Sequence, residues 1–129
     1  MNIVNLDHIV LTVRDIANTV EFYESVLGMS HEMYDDGRIA LKFGNQKINL
    51  HEYNREIEPK ASQPIPGSED LCFITDTKIE VAMESVKSKG IYILEGPVKR
   101  TGATGSIISF YFRDPEGNLI EIANYVEGT

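Results

Sequence analysis

Cysteine is all but missing: Cys72 is the single one in 129 residues, so no disulfide can form within the chain. Long apolar runs are missing as well, and none approaches the roughly 18 residues of a membrane-crossing helix. No basic stretch leads into an apolar h-region near the first residues, so the sequence carries no export signal and the expected location is cytoplasmic. Basic residues are scarce, 12 against 20 acidic, for a formal charge of -8 without any Lys/Arg cluster. That balance repels phosphate backbones and anionic lipid, which sets aside nucleic acid and membrane surfaces as partners. What is present, 42% apolar and 25% charged residues, is the composition of one ordinary folded domain.

The element pattern repeats. LDHIVLTV (6–13) is a β-branched run whose Ile9, Leu11 and Val13 share one face and His8, Val10 and Thr12 the other, as a strand requires. Asp15 stands at an N-cap position ahead of an apolar stripe of Ile16, Val20, Tyr23 and Leu27, and Gly28 stops the helix. MSHEMY (29–34), RIALKF (38–43) and KINLHEY (47–53), parted by DDG and GNQ, predict an antiparallel meander. Residues 54–69 hold Pro59, Pro64, Pro66 and Gly67 and predict a linker. The order then restarts. DLCFIT (70–75) predicts a strand, Thr77 with Glu80 a capping box, and Gly90 the end of a second helix. IYIL (91–94), a loop at 96–105, SIISFYF (106–112), a DPEG turn and NLIEIANY (118–125) follow. The expected fold is therefore α+β, one domain of two tandem βαβββ modules (about 4–53 and 70–125) whose mixed sheets cup a shared cavity.

Polar ligand types interrupt apolar runs on the first and last strands of each half: His8, His51, Asp70 and Glu121. A carboxylate placed mid-strand, as Glu121 is between Ile120 and Ile122, needs a partner. Each residue has a plainer reading: His8 as a satisfied strand histidine, His51 at an exposed edge, Asp70 opening a strand, Glu121 in a salt bridge. Their coincidence at equivalent ends of two repeats favours a divalent metal, since imidazole and carboxylate suit zinc and iron alike. Cys72 shares the face of Asp70 and reads as a small buried strand residue rather than a nucleophile. Gly102 and Gly105 read as a turn, Tyr53, Phe110 and Phe112 as packing, and His31 as surface.

LDHIVLTV, EFYESVLGM, RIALKFGNQKINLHEY, GSEDLCFIT and YFRDPEGNLIEIANY together resemble the vicinal oxygen chelate (glyoxalase/bleomycin resistance/extradiol dioxygenase) superfamily over essentially the whole chain. FGNQKINLH, EGPVKRTGATG and YFRDPEGNLIE look like its glyoxalase-domain-containing, virulence-protein-like subgroup. The resemblance implies cupped sheets around a divalent ion (Zn, Ni, Mn or Fe) that chelates adjacent oxygens of a small substrate. The family's metal positions fall on His8, His51, Asp70 and Glu121. His8 and Glu121 match in type, whereas His51 lies where the lyases usually present Glu, and Asp70 where His is usual.

By that resemblance the chain is a metal-dependent enzyme of glyoxalase-like lyase or isomerase type, acting on a small oxygenated or electrophilic metabolite, with Glu121 as base and Asp70 its counterpart. The alternatives are a metal-free, drug-sequestering binding protein, an extradiol dioxygenase with iron on His8, His51 and Glu121, and a fosfomycin-type thiol transferase using Lys99 and Arg100. Relatives of this length often form homodimers whose site takes His8 and His51 from one chain and Asp70 and Glu121 from the other.

Overall fold

Strong helix and strand signals dictate most of the architecture, seen in a computed structural model that describes residues 1–127. The chain divides into two units, the first spanning Met1–Ser68 and the second beginning at Glu69. In the first, β1 (His8–Val13) is followed by α1 (Ile16–Leu27), then β2 (Ser30–Tyr34), β3 (Arg38–Phe43) and β4 (Gln46–Glu52). The sheet order is β1-β4-β3-β2, with β1 parallel to β4 and the remaining pairs antiparallel. Asp15 caps α1 by accepting the Asn18 N–H at 2.9 Å, and Gly28 closes it in the left-handed region at φ 69°. Leu11, Val13, Leu41, Ile48 and Leu50 are buried with Tyr23 of α1, each such side chain contributing about 1.5–3 kcal/mol.

The second unit repeats the plan. β5 (Asp70–Ile74) leads to α2 (Ile79–Ser88), then β6 (Glu95–Thr101), β7 (Ser106–Arg113) and β8 (Leu119–Tyr125), in the order β5-β8-β7-β6. Phe110, Phe112, Ile120 and Ile122 are buried with Ile79 and Val86 of α2, so both phenylalanines are core. The DPEG turn is held by Asp114, whose Oδ1 accepts the N–H groups of Glu116 and Asn118 at 2.9 Å while Oδ2 accepts Asn118 Nδ2 at 2.8 Å. Asn118 Oδ1 in turn accepts the Glu69 N–H, tying the entry of β8 to that of β5.

Two local expectations are corrected. No Thr77 capping box forms: Lys78 occupies the cap position without a side-chain bond, and the Thr77 N–H goes to the Thr75 hydroxyl at 3.1 Å. Residues 91–94 are not a strand, and 95–101, expected mostly as loop, form β6. Pro97 is tolerated because β6 lies at the sheet edge, with an irregular register between Glu95 and Val98. Gly96 is required there, since a Cβ would sit 2.5 Å from that of Phe110. Among the described residues no helix is long and apolar enough to cross a membrane.

Candidate functional site

Strand parity decides what each sheet offers on the face away from its helix. In the second unit the register aligns Cys72, Glu121 and Tyr111 as successive neighbours across β5, β8 and β7. The Tyr111 hydroxyl accepts Arg100 Nε–H at 3.1 Å, and Arg100 Nη2 bonds Glu95 Oε1 at 3.1 Å. Glu121 stands between the Tyr111 hydroxyl and the Cys72 thiol, near enough to raise the pKa of each. Arg100, Tyr111, Glu121 and Cys72 thus form one polar row, and it lines a cavity of about 400 Å³ closed further by Ile107 and Tyr125.

The electrostatics follow from that row. Burial first, then the charge and hydrogen bond of Glu121, then the charge of Asp70, push the Cys72 thiol up to about 11. It is therefore protonated near neutral pH and no nucleophile. Burial and the bond to Glu121 also raise Tyr111, while Arg100 pulls it the other way. The rim is a turn closed by Gly102 N–H to the Gly105 carbonyl at 2.7 Å. Tyr125 Oη accepts the Thr104 N–H at 3.2 Å, and a Cβ on Gly102 would come within 2.9 Å of that oxygen.

In the first unit the face away from α1 carries His8 and Thr12 on β1, Lys47, Asn49 and His51 on β4, and Arg38 and Ala40 on β3. His51 pairs with Thr12 and His8 with Lys47. The two imidazoles therefore share a face but stand four residues apart along the ladder, about 13 Å between backbones. His8 is exposed, with Nδ1 2.8 Å from Asp7 Oδ2. His51 is on an inner strand and buried, not at an exposed edge, and burial followed by the charge of Arg38 holds it below its ordinary pKa, opposed by Glu56. Its Nε2 has no hydrogen-bond partner among the described residues, and the same holds for Asn49 Oδ1, Arg38 Nε and Tyr34 Oη. Each such group costs on the order of 1–3 kcal/mol if left dry and unpaired.

Among the four expected ligands, Asp70 and Glu121 come together as diagonal neighbours on one face, Asp70 opposite Leu119 and Glu121 opposite Cys72. His8 and His51 do not converge. Among the described residues no three His, Cys, Asp or Glu side chains are grouped to hold an ion. Neither unit by itself fits a three- or four-ligand metal centre. Cys72 lines the cavity, partly covered and partly open to solvent, instead of packing in the core, because its parity follows Glu121 and not Phe73. Sequence reasoning passed over Tyr111. The signal was there: a turn centred on Glu116 pairs residues whose numbers sum alike, which sets Tyr111 against Glu121.

The glyoxalase/bleomycin resistance protein/dioxygenase superfamily model matches residues 5–122. The chain is 59% identical over 126 residues to virulence protein STM3117 of Salmonella typhimurium, covering 98% of this chain and 88% of that protein. The crystal structure of STM3117 superposes with a TM-score of 0.96 over 98% of this chain and all of that one. A second relative, glyoxalase domain-containing protein RDO1 of Mycosarcoma maydis, is 50% identical over 125 residues, 97% of this chain and 70% of that protein. The crystal structure of lactoylglutathione lyase from Agrobacterium tumefaciens, 23% identical, shares the fold at a TM-score of 0.71 over 93% of this chain and 92% of its own. Two four-stranded mixed sheets, each with one helix, and a match over nearly the whole chain lead to one conclusion: this protein belongs to the glyoxalase/bleomycin resistance protein/dioxygenase superfamily.

Proposed function

We propose that the protein is an enzyme of glyoxalase-like lyase or isomerase type, moving a proton next to a carbonyl of a small oxygenated metabolite bound in the cavity of the second unit. The observation that carries this reading is the Glu121 carboxylate on the cavity wall, flanked across the sheet by Tyr111 and Cys72. A hydroxyl on one side and a thiol on the other place the carboxylate at the cavity wall, and a general base needs position before it needs a tuned pKa. Glu121 takes a proton from the carbon beside the carbonyl, and the C–H electron pair shifts toward the carbonyl oxygen. Protonation weakens Glu121 as an acceptor, so the Tyr111 hydroxyl turns to the developing oxyanion, with the Arg100 charge behind it. In a substrate whose first carbon bears a hydroxyl, return of the proton to the former carbonyl carbon, with the hydroxyl proton passing to the oxyanion, completes an isomerisation. Asp70, diagonal to Glu121, is the second carboxylate proposed at this end of the sheet.

A divalent ion of the kind common in this superfamily would supply Lewis-acid polarisation of the carbonyl. The residues proposed for it are His8, His51, Asp70 and Glu121, and since neither unit groups enough of them, the steps above use side chains alone.

The test is hydrogen exchange in D2O, followed by proton NMR, on a panel of 2-oxo and 2-hydroxy acids and aldehydes, with metal content measured on the same samples. Carbon-bound exchange that is lost in Glu121→Gln supports the proposal. Exchange untouched by that substitution removes Glu121 from the chemistry. Ligand binding without any exchange replaces the enzyme by a sequestering module.

A further inference from the structure

The unit-1 face holds an unexplained concentration of unsatisfied polar atoms. Asn49 and His51, 5% and 6% exposed, leave Oδ1 and Nε2 without partners, and Arg38 Nε and Tyr34 Oη are buried beside them in the same condition. The register gathers them. Tyr34 pairs with Arg38, the next rung beyond Ile39–Leu50 sets Arg38 against His51, and Asn49 lies one same-face step away, opposite Ala40. Tyr34 lies between two cations, with Arg38 at 5.1 Å and Lys47 at 4.1 Å from its ring centre.

Charge selects the occupant. Neighbouring ions are already matched, Lys42 with Glu32 at 3.8 Å and Lys60 with Glu56 at 3.2 Å. Lys47, after the His8 hydrogen bond, helps to lower the pKa of the Asp7 carboxylate, whereas Arg38 has no carboxylate within salt-bridge distance among the described residues. The Arg38 charge beside these buried polar atoms favours an anionic group. Arg38 Nε and the Tyr34 hydroxyl are donors suited to a carboxylate, whereas the Asn49 oxygen accepts and so asks for a hydroxyl on the same molecule. Arg38 and Asn49 are separated by one same-face step, about 7 Å along the strand, a span bridged by a short carbon skeleton.

We propose that this face of the first unit binds a small hydroxy-carboxylate, its carboxylate on Arg38 and Tyr34 and its hydroxyl on Asn49 and His51. The site stands on residues of the first unit alone and does not depend on Glu121 acting as a base.

The experiment is an NMR and calorimetric titration of the full chain with four probes: 3-hydroxybutyrate, butyrate, the neutral 1,3-butanediol and inorganic phosphate. The expected result is that 3-hydroxybutyrate binds at least about tenfold more tightly than butyrate, shifts the His51 ring nitrogen signals, and is matched by neither the diol nor phosphate. Asn49→Leu brings 3-hydroxybutyrate down to the level of butyrate, Arg38→Gln weakens both acids about tenfold or more, and Glu121→Gln leaves both unchanged. Arg38→Lys, which keeps the charge but removes the Nε donor, takes the place of Arg38→Gln if that variant does not fold, with loss of the acid again expected. Equal affinity for 3-hydroxybutyrate and butyrate, equal or tighter binding of phosphate, or no binding of either acid would overturn the proposal. So would full affinity in the folded Arg38 variant.

Discussion

Replacing Glu121 by Gln probes the cavity network through a group that takes no part in the proposed chemistry. The Cys72 thiol is displaced from 9.0 to about 11 by burial first, then by the charge and hydrogen bond of Glu121, then by Asp70. At pH 8 a thiol of ordinary pKa is ionised to roughly a tenth and this one to roughly a thousandth. Glutamine removes the charge but leaves the burial and Asp70, so the thiol falls part of the way back toward 9.0 and its thiolate population rises. Thiolate nucleophilicity falls about threefold per unit of lowered pKa, so alkylation by iodoacetamide speeds up by less than the thiolate population does, and by at most about tenfold. Peptide mass spectrometry of the time course reads the rate, and repeating it from neutral to alkaline pH reads the midpoint, expected to fall from about 11 toward 9.0. An unchanged rate and midpoint in the folded variant would refute the contact. The sign for stability is fixed as well. Because the folded pKa is raised, the contribution of the protonated thiol is complete below pH 9.0 and is lost as pH rises through about 11.

Two further outcomes are expected. Gly96→Ala places a Cβ 2.5 Å from Phe110 Cβ and 2.8 Å from the Ser109 carbonyl oxygen at φ 129°. It should cost about 2–4 kcal/mol in urea unfolding, and a loss under ~0.5 kcal/mol would show that β6 shifts freely. For His51, held below its ordinary value of 6.5 by burial and then by Arg38, the neutral ring is the one the fold prefers. Its contribution is complete above pH 6.5 and is lost as pH falls through the depressed folded value, so His51→Gln should flatten the acid side of the stability profile measured by urea unfolding. Parallel acid slopes for parent and variant would contradict it.

Most of the fold was legible because its signals are local. Asp15, Gly28 and the stripe through Tyr23 specify α1 within a few residues of one another, and the strand runs carry period-two patterns that survive any context. The misreadings occurred where context overrides local preference. Pro97 and Gly96 look like loop residues, yet an edge strand dispenses with the proline N–H and the packed Phe110 backbone demands glycine. Thr77 and Glu80 have the spacing of a capping box, but the Thr77 N–H is drawn to Thr75 and the helix begins later.

For the candidate site, the amino-acid sequence by itself determined the superfamily, the repeated βαβββ order and the face on which each polar strand residue lies, because alternation along a strand is a property of the covalent chain. Only the tertiary structure decided which rungs oppose one another. Register depends on turn geometry and on sheet pairing between distant segments, and it set Glu121 between Cys72 and Tyr111, moved His8 four residues from His51, and brought Tyr34, Arg38, Asn49 and His51 together on one buried face.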